Sequence, residues 1–308
     1  GSTARMACSS PAATTLGSSP VILRLGYFPN ITQATAIVGV ESGIFSKALG
    51  SEITLKTSTF NAGSSASEAL LSGAIDATFI GPSPAINAFS KSSGAVKIAS
   101  GATSVGALPV VKAGITNAAG LKGKKLATPQ LGNTQDVALR TWLLGQGLKT
   151  DAQGGGDVSI VPQGNAQTLQ AFETGSIDGA WLPEPWATRL ILEGHGTVLL
   201  NEKDLWPAGQ FATTVLLVRT DYLAAHPDSI KALLLGELQA NGLVNTDPTQ
   251  AQALTNQGIA RISGPKLSDA VIQAAWKILF FTVDPIASSL KVSADNAVKI
   301  GLLKAGRS

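Results

Sequence analysis

Apolar and polar residues alternate along Glu52-Ile53-Thr54-Leu55. They take a helical spacing after Gly63-Ser64-Ser65, break at Gly73, and resume as a short strand from Ile75-Asp76-Ala77 before Pro82-Ser83-Pro84. The same order returns later in the chain as Asp157-Val158-Ser159-Ile160, Gly164-Asn165, Gly175, Ile177-Asp178-Gly179 and Pro183-Glu184-Pro185. Strand, glycine-opened helix, glycine stop, short strand and proline-rich loop make a βαβ half-unit, stated twice. Two copies predict two similar α/β lobes. Ligands in open α/β sheets bind beyond the carboxyl ends of the strands, so facing lobes predict a cleft between those ends.

The pattern elsewhere fills in this frame. Val21–Tyr27 reads as a strand buried on both faces. Thr32 is placed to cap a helix over 33–42 that Gly43 stops, and Ser64 or Ser65, with Glu68, to cap the helix after Gly63. Strands are predicted at 53–59, 74–80, 95–100 and 125–128. Asn133 or Thr134 caps a helix reaching Leu144. The run from Leu108 is a first crossing between lobes, and Ala212–Val218 is the return. Two crossings allow a hinge. Residues 225–308 read as helical throughout, packed on the first lobe. The expected boundaries are a linker over 1–20, lobe 1 over 21–107 and 215–308, and lobe 2 over 108–214.

Composition narrows the class. The 308 residues carry a net charge of +3 and only 14% charged side chains, with no basic face for nucleic acid. The single cysteine, Cys8, rules out an internal disulfide or a cysteine metal site. No apolar run is long enough to span a membrane, so a soluble chain is expected. Residues 9–20 have the composition of a flexible linker.

Taken together, these motifs resemble the substrate-binding proteins of ABC importers, in the branch that handles aliphatic sulfonates, taurine and nitrate. The residues carrying the resemblance are Gly26-Tyr27-Phe28-Pro29, Glu41-Ser42-Gly43-Ile44-Phe45 and Ala69 to Asp76. Leu121 to Ala127, Gly175 to Trp181 and Glu184-Pro185-Trp186 add to it. The resemblance implies a two-lobed periplasmic-binding-protein-like α/β fold of type II. It also implies a monomeric receptor that captures a small anion, foremost an aliphatic sulfonate, and delivers it to a membrane permease. An aromatic carboxylate or a thiamine-precursor-like heterocycle is the alternative ligand. Cys8, behind Ala7, resembles the modification site of a bacterial lipoprotein, which implies a lipid anchor outside the cytoplasmic membrane.

Helix amino termini bind oxyanions without a formal cation. Three predicted helix starts face the cleft, near Asn30–Gln33, at Gly63-Ser64-Ser65 and at Gly132-Asn133-Thr134. The resemblance carries sulfonate binding onto Ser64, Ser65, Asn133 and Thr134. Asn30, Gln33, Gly63, Ser83 and Gln163 are further candidates. Glu184 is placed either to meet a ligand amine or to pair with Arg189, and Trp186 to wall the pocket, with Trp181, Trp206 and Phe211 behind it. No metal, cofactor or catalytic role is expected. The two histidines, His195 and His226, sit in loop and helix-start contexts with no third group to orient them. Asp76 and Asp178 correspond through the repeat and are expected to pin backbone.

Overall fold

A computed structural model describes residues 19–305. The strands are β1 (Val21–Tyr27), β2 (Ile53–Thr59), β3 (Ala77–Ile80), β4 (Val96–Val105), β5 (Ala107–Val111), β6 (Lys125–Thr128), β7 (Ser159–Pro162), β8 (Gly179–Pro183), β9 (Thr197–Val198), β10 (Ala212–Arg219) and β11 (Leu279–Phe281). They form two sheets, one ordered β11-β4-β10-β3-β1-β2 and the other β7-β6-β8-β5-β9. Parallel pairs β1–β2 and β1–β3 in the first sheet match β6–β7 and β6–β8 in the second. Antiparallel β10 and β5 flank these parallel sets. The fold is the two-lobed, periplasmic-binding-protein-like α/β architecture.

The helices are α1 (Ala34–Glu41), α2 (Ile44–Leu49), α3 (Gly63–Leu71), α4 (Pro82–Ser92), α5 (Thr134–Gly145), α6 (Asn165–Glu173), α7 (Trp186–Leu192), α8 (Thr220–Ala225), α9 (Pro227–Thr246), α10 (Pro248–Ser263), α11 (Asp269–Trp276) and α12 (Ala287–Lys299). The duplicated phrase becomes β2-α3-β3-α4 and β7-α6-β8-α7. In each copy an aspartate clamps the central strand. The Asp76 carboxylate accepts the Arg24 N–H at 2.8 Å and the Asp178 carboxylate accepts the Lys125 N–H at 2.8 Å. Both act as backbone pins, as their sequence setting predicts.

Four expectations about local structure are corrected. Pro82-Ser83-Pro84 is the first turn of α4, where proline is tolerated because its missing N–H would be unpaired anyway. Neither Ser64 nor Ser65 caps α3, because Ala62 occupies the cap position. Thr32 does not cap α1. It lies in a short 3₁₀ turn, Ile31–Gln33, that feeds the helix. A strand, β11, does interrupt the helical carboxyl-terminal block and edges the first sheet against β4.

The largest apolar core lies under the first sheet, where α1 and α2 meet α9 and α10. The second sheet is filled on its two faces around Phe172 and Trp181. The chain leaves β4 for β5 through Gly106, whose φ of 89° suits glycine. The carboxyl-terminal block packs mainly on the first lobe. However, α11 touches α7, and α12 lies against both α4 and α5.

Candidate ligand-binding cleft

The carboxyl ends of β1, β2 and β3 point toward those of β6, β7 and β8. The residues that follow these strands enclose a cavity of about 60 Å³. Asn30, Gln33, Gly63, Asn133 and Thr134 line it, as expected. Gln130, Gln135, Asn165 and Asn61 also line it and were not anticipated. Among the described residues, no aspartate, glutamate, lysine or arginine lines this cavity.

Three helices, α3, α5 and α6, begin at this wall with Gly63, Thr134 and Asn165. First-turn N–H groups have no partner within their own helix, so these starts supply donors. The α6 start replaces one of the three expected. The turn at Ile31 is already taken, because its Ile31 and Thr32 N–H groups donate to the Glu184 carbonyl at 3.1 and 3.4 Å. The Gly132 N–H is also committed, to the Asp136 carboxylate at 2.9 Å.

Local bonds fix which end of each amide is spoken for. The Phe28 N–H donates to Gln33 Oε1 at 3.2 Å. The Trp186 indole N–H donates to Asn30 Oδ1 at 3.0 Å. The Asp136 N–H donates to Asn133 Oδ1 at 2.9 Å, so Asn133 Nδ2 must be the group that donates to Gln135 Oε1 at 3.0 Å. An N–H donor requires an oxygen opposite it, and these orientations follow from chemistry. Asn30, Gln33 and Gln135 therefore keep their NH₂ groups uncommitted among the described residues. Asn165 differs: its buried Oδ1 has no partner among them.

The loop carrying Gln130 to Gln135 is anchored from below by Asp136. This fully buried carboxylate accepts from Thr128 Oγ1 at 2.7 Å, from the Gly132 N–H, and from Arg140 Nε at 2.8 Å. Across the cleft, Gln130 takes the Ser64 N–H at 3.2 Å and donates to Ser64 Oγ at 2.6 Å. The Ser83 N–H points to Thr134 Oγ1 at 3.4 Å. These contacts join the lobes.

Several candidates fall outside the cavity. Ser64 and Ser83 face a neighbouring groove that they share with Leu71, Leu131, Leu302 and Leu303. Ser65 is exposed and lines neither space. Gln163 sits behind the wall, its Nε2 buried without a partner among the described residues. Trp186 clamps Asn30 and stacks on Arg189 at 4.9 Å instead of walling the pocket. Trp181 is core, and Trp206 stacks on Phe211 away from the cavity. Cys8 lies outside the described residues.

Glu184 corrects both of its expected roles. It is completely buried, and its carboxylate accepts the Thr188 N–H at 2.9 Å and the Thr188 hydroxyl. It therefore braces the first turn of α7 and meets neither the cavity nor Arg189, which pairs with Glu193 at 2.6 Å. Burial outweighs the Thr188 bonds and lifts its pKa from the ordinary 4.5 to about 7. Sequence reasoning missed Gln130, Gln135 and Asn165 because each belongs to a loop or helix start whose aim depends on long-range pairing. The Gly164-Asn165 repeat of the first helix start was the one available signal.

Comparison with known proteins agrees with this geometry. The taurine-binding periplasmic protein of Escherichia coli K12 is 30% identical over 214 residues, which is 67% of this chain and 62% of that protein. The chain thus spans under two thirds of that relative's length in the match. The fold superposes on the alkanesulfonate-binding protein SsuA of Xanthomonas axonopodis pv. citri with a TM-score of 0.76 at 21% identity, covering 93% of this chain and 96% of that one. It superposes on the nitrate-binding protein NrtA of Synechocystis PCC 6803 with a TM-score of 0.74 at 18% identity, covering 93% and 83%. The NMT1-like family profile matches residues 17–259. With that match spanning most of the chain, and with the two-lobed fold around a cleft of helix starts, the protein belongs to the NMT1-like family.

Proposed function

We propose that this chain is an extracytoplasmic receptor of an ABC importer that binds a small organic anion, foremost an aliphatic sulfonate, and presents it to a permease. The observation carrying this reading is the cavity itself. Asn30, Gln33 and Gln135 keep their NH₂ groups uncommitted at its wall, it faces three helix starts, and no charged side chain lines it among the described residues. Such a wall gives an oxyanion many neutral donors. The family relationship to a taurine-binding periplasmic protein supports the same reading. No helix among the described residues is long and apolar enough to cross a membrane. Membrane attachment would rest on a lipid at Cys8. The domain boundaries given above, a monomeric state and a role in binding instead of catalysis belong to the same proposal.

The cavity volume of about 60 Å³ favours a second, smaller class of ligand, a planar inorganic oxyanion such as nitrate. A water occupies roughly 10–15 Å³ by this measure, so the space matches a group of a few heavy atoms. A thermal-shift screen across sulfonates, carboxylates and nitrate, repeated by calorimetry, separates the classes. Stabilisation that saturates with one of these anions supports the reading. A screen in which no anion stabilises the protein sinks it.

A further inference from the structure

We propose that the cleft selects monoanions that carry no ammonium group, so that an amino-sulfonate or amino acid is rejected in favour of its hydroxyl counterpart. This inference rests on the anion-receptor reading and specifies its ligand class. Three observations carry it. First, no carboxylate lines the cavity among the described residues. Second, the nearby acid, Glu184, is fully buried with both oxygens engaged by Thr188, so it has no free edge to offer. Third, the carbonyl ends of Asn30, Gln33 and Gln135 are each held by a donor of the protein itself.

An ammonium needs acceptors in place of the water it loses, and burying it without them is strongly unfavourable. The wall presents the opposite array, NH₂ groups and helix starts that repel a cation as they attract an anion. Asn165 Oδ1 is an acceptor without a partner among the described residues. A neutral amide oxygen of this kind suits a hydroxyl, which donates a single hydrogen bond. It does not replace the hydration of a group with three charged donors.

The test compares matched pairs by calorimetry on the full chain at neutral pH: isethionate against taurine, and glycolate against glycine, with nitrate as an amine-free reference. The members of each pair differ by a hydroxyl or an ammonium at one carbon. We expect the hydroxyl member of at least one pair to bind, with its amine counterpart weaker by at least about tenfold, and binding of nitrate with neither hydroxyl member overturns the proposal. A smaller difference, or tighter binding of taurine or glycine, overturns the proposal while leaving the receptor reading intact. Failure of every anion to bind overturns both. Gln135→Glu keeps the oxygen that Asn133 needs and places a carboxylate at the wall. It is expected to shift the taurine-to-isethionate preference toward taurine by at least about tenfold. No shift in a folded variant, checked by circular dichroism, also counts against the proposal.

Discussion

Replacing Asp136 with alanine removes the anchor under the second-lobe loop of the cleft. The carboxylate is fully buried and binds Thr128 Oγ1, the Gly132 N–H and Arg140 Nε at 2.7–2.9 Å. Its partner Arg140 is 4% exposed, already has one nitrogen without a partner among the described residues, and would keep only its bond to the Asp151 carbonyl at 2.9 Å. Stranding one member of a buried ion pair costs about 3–5 kcal/mol. The hydroxyl and amide donors left behind add to this, at about 1–3 kcal/mol each if water cannot reach them. Some relaxation is expected, so about 4 kcal/mol is the figure for the whole, or roughly 6 °C in melting temperature for a chain this large. Urea denaturation followed by circular dichroism measures it. The double variant Asp136→Leu with Arg140→Met removes both charges and fills similar space, so it should recover most of the loss. A single variant that loses less than about 1 kcal/mol, or a double variant no better than the single, would refute the reasoning.

Three more outcomes follow from the same geometry. Glu184, Glu202 and Glu237 are buried, and burial lifts their pKa values from 4.5 to about 7, 8 and 8. The folded state holds these protons longer than the unfolded chain does, so unfolding free energy should fall as pH rises from about 4.5 to 8, and Glu202→Gln with Glu237→Gln should flatten that slope. At Gly81 an added Cβ would sit 2.6 Å from Thr134 Oγ1 on the other lobe. The residue has an ordinary φ of −67°, so Gly81→Ala should weaken anion binding by about tenfold with little change in melting temperature, measured by calorimetry and thermal denaturation. Asp76 is 1% exposed and holds both Arg24 and Arg219, whereas Asp178 is only half-buried. Asp76→Ala should therefore cost about 2–3 kcal/mol and Asp178→Ala about 1 kcal/mol in the same denaturation assay.

The architecture was legible because it is written twice. Ile75-Asp76 and Ile177-Asp178 recur at the same place in each copy, and their roles as strand clamps follow from that position alone. Much of the cleft was legible for the same reason, since the residues after the parallel strands must face it. What escaped was set by partners distant in sequence. The neighbours of Ser64 give it the setting of a helix cap, but its atoms go to Gln130 in the other lobe. The proline-flanked setting of Glu184 suits a ligand or ion-pair group. Its side chain folds back onto Thr188 instead, four residues on, and its carbonyl crosses to the turn at Ile31. The α4 helix was missed because its two prolines fall in the one turn where helices accept them, and β11 because three residues carry no periodicity.

The carboxyl-terminal helix α12 rests on α4 from one side of the cleft and on α5 from the other. A body wedged between two plates acts as a gauge of their separation: it can follow only one plate when they part. Donor and acceptor dyes at the exposed Lys299 of α12 and the exposed Leu144 of α5 would convert lobe motion into a distance signal. The architecture thus comes with its own attachment points for a solute sensor.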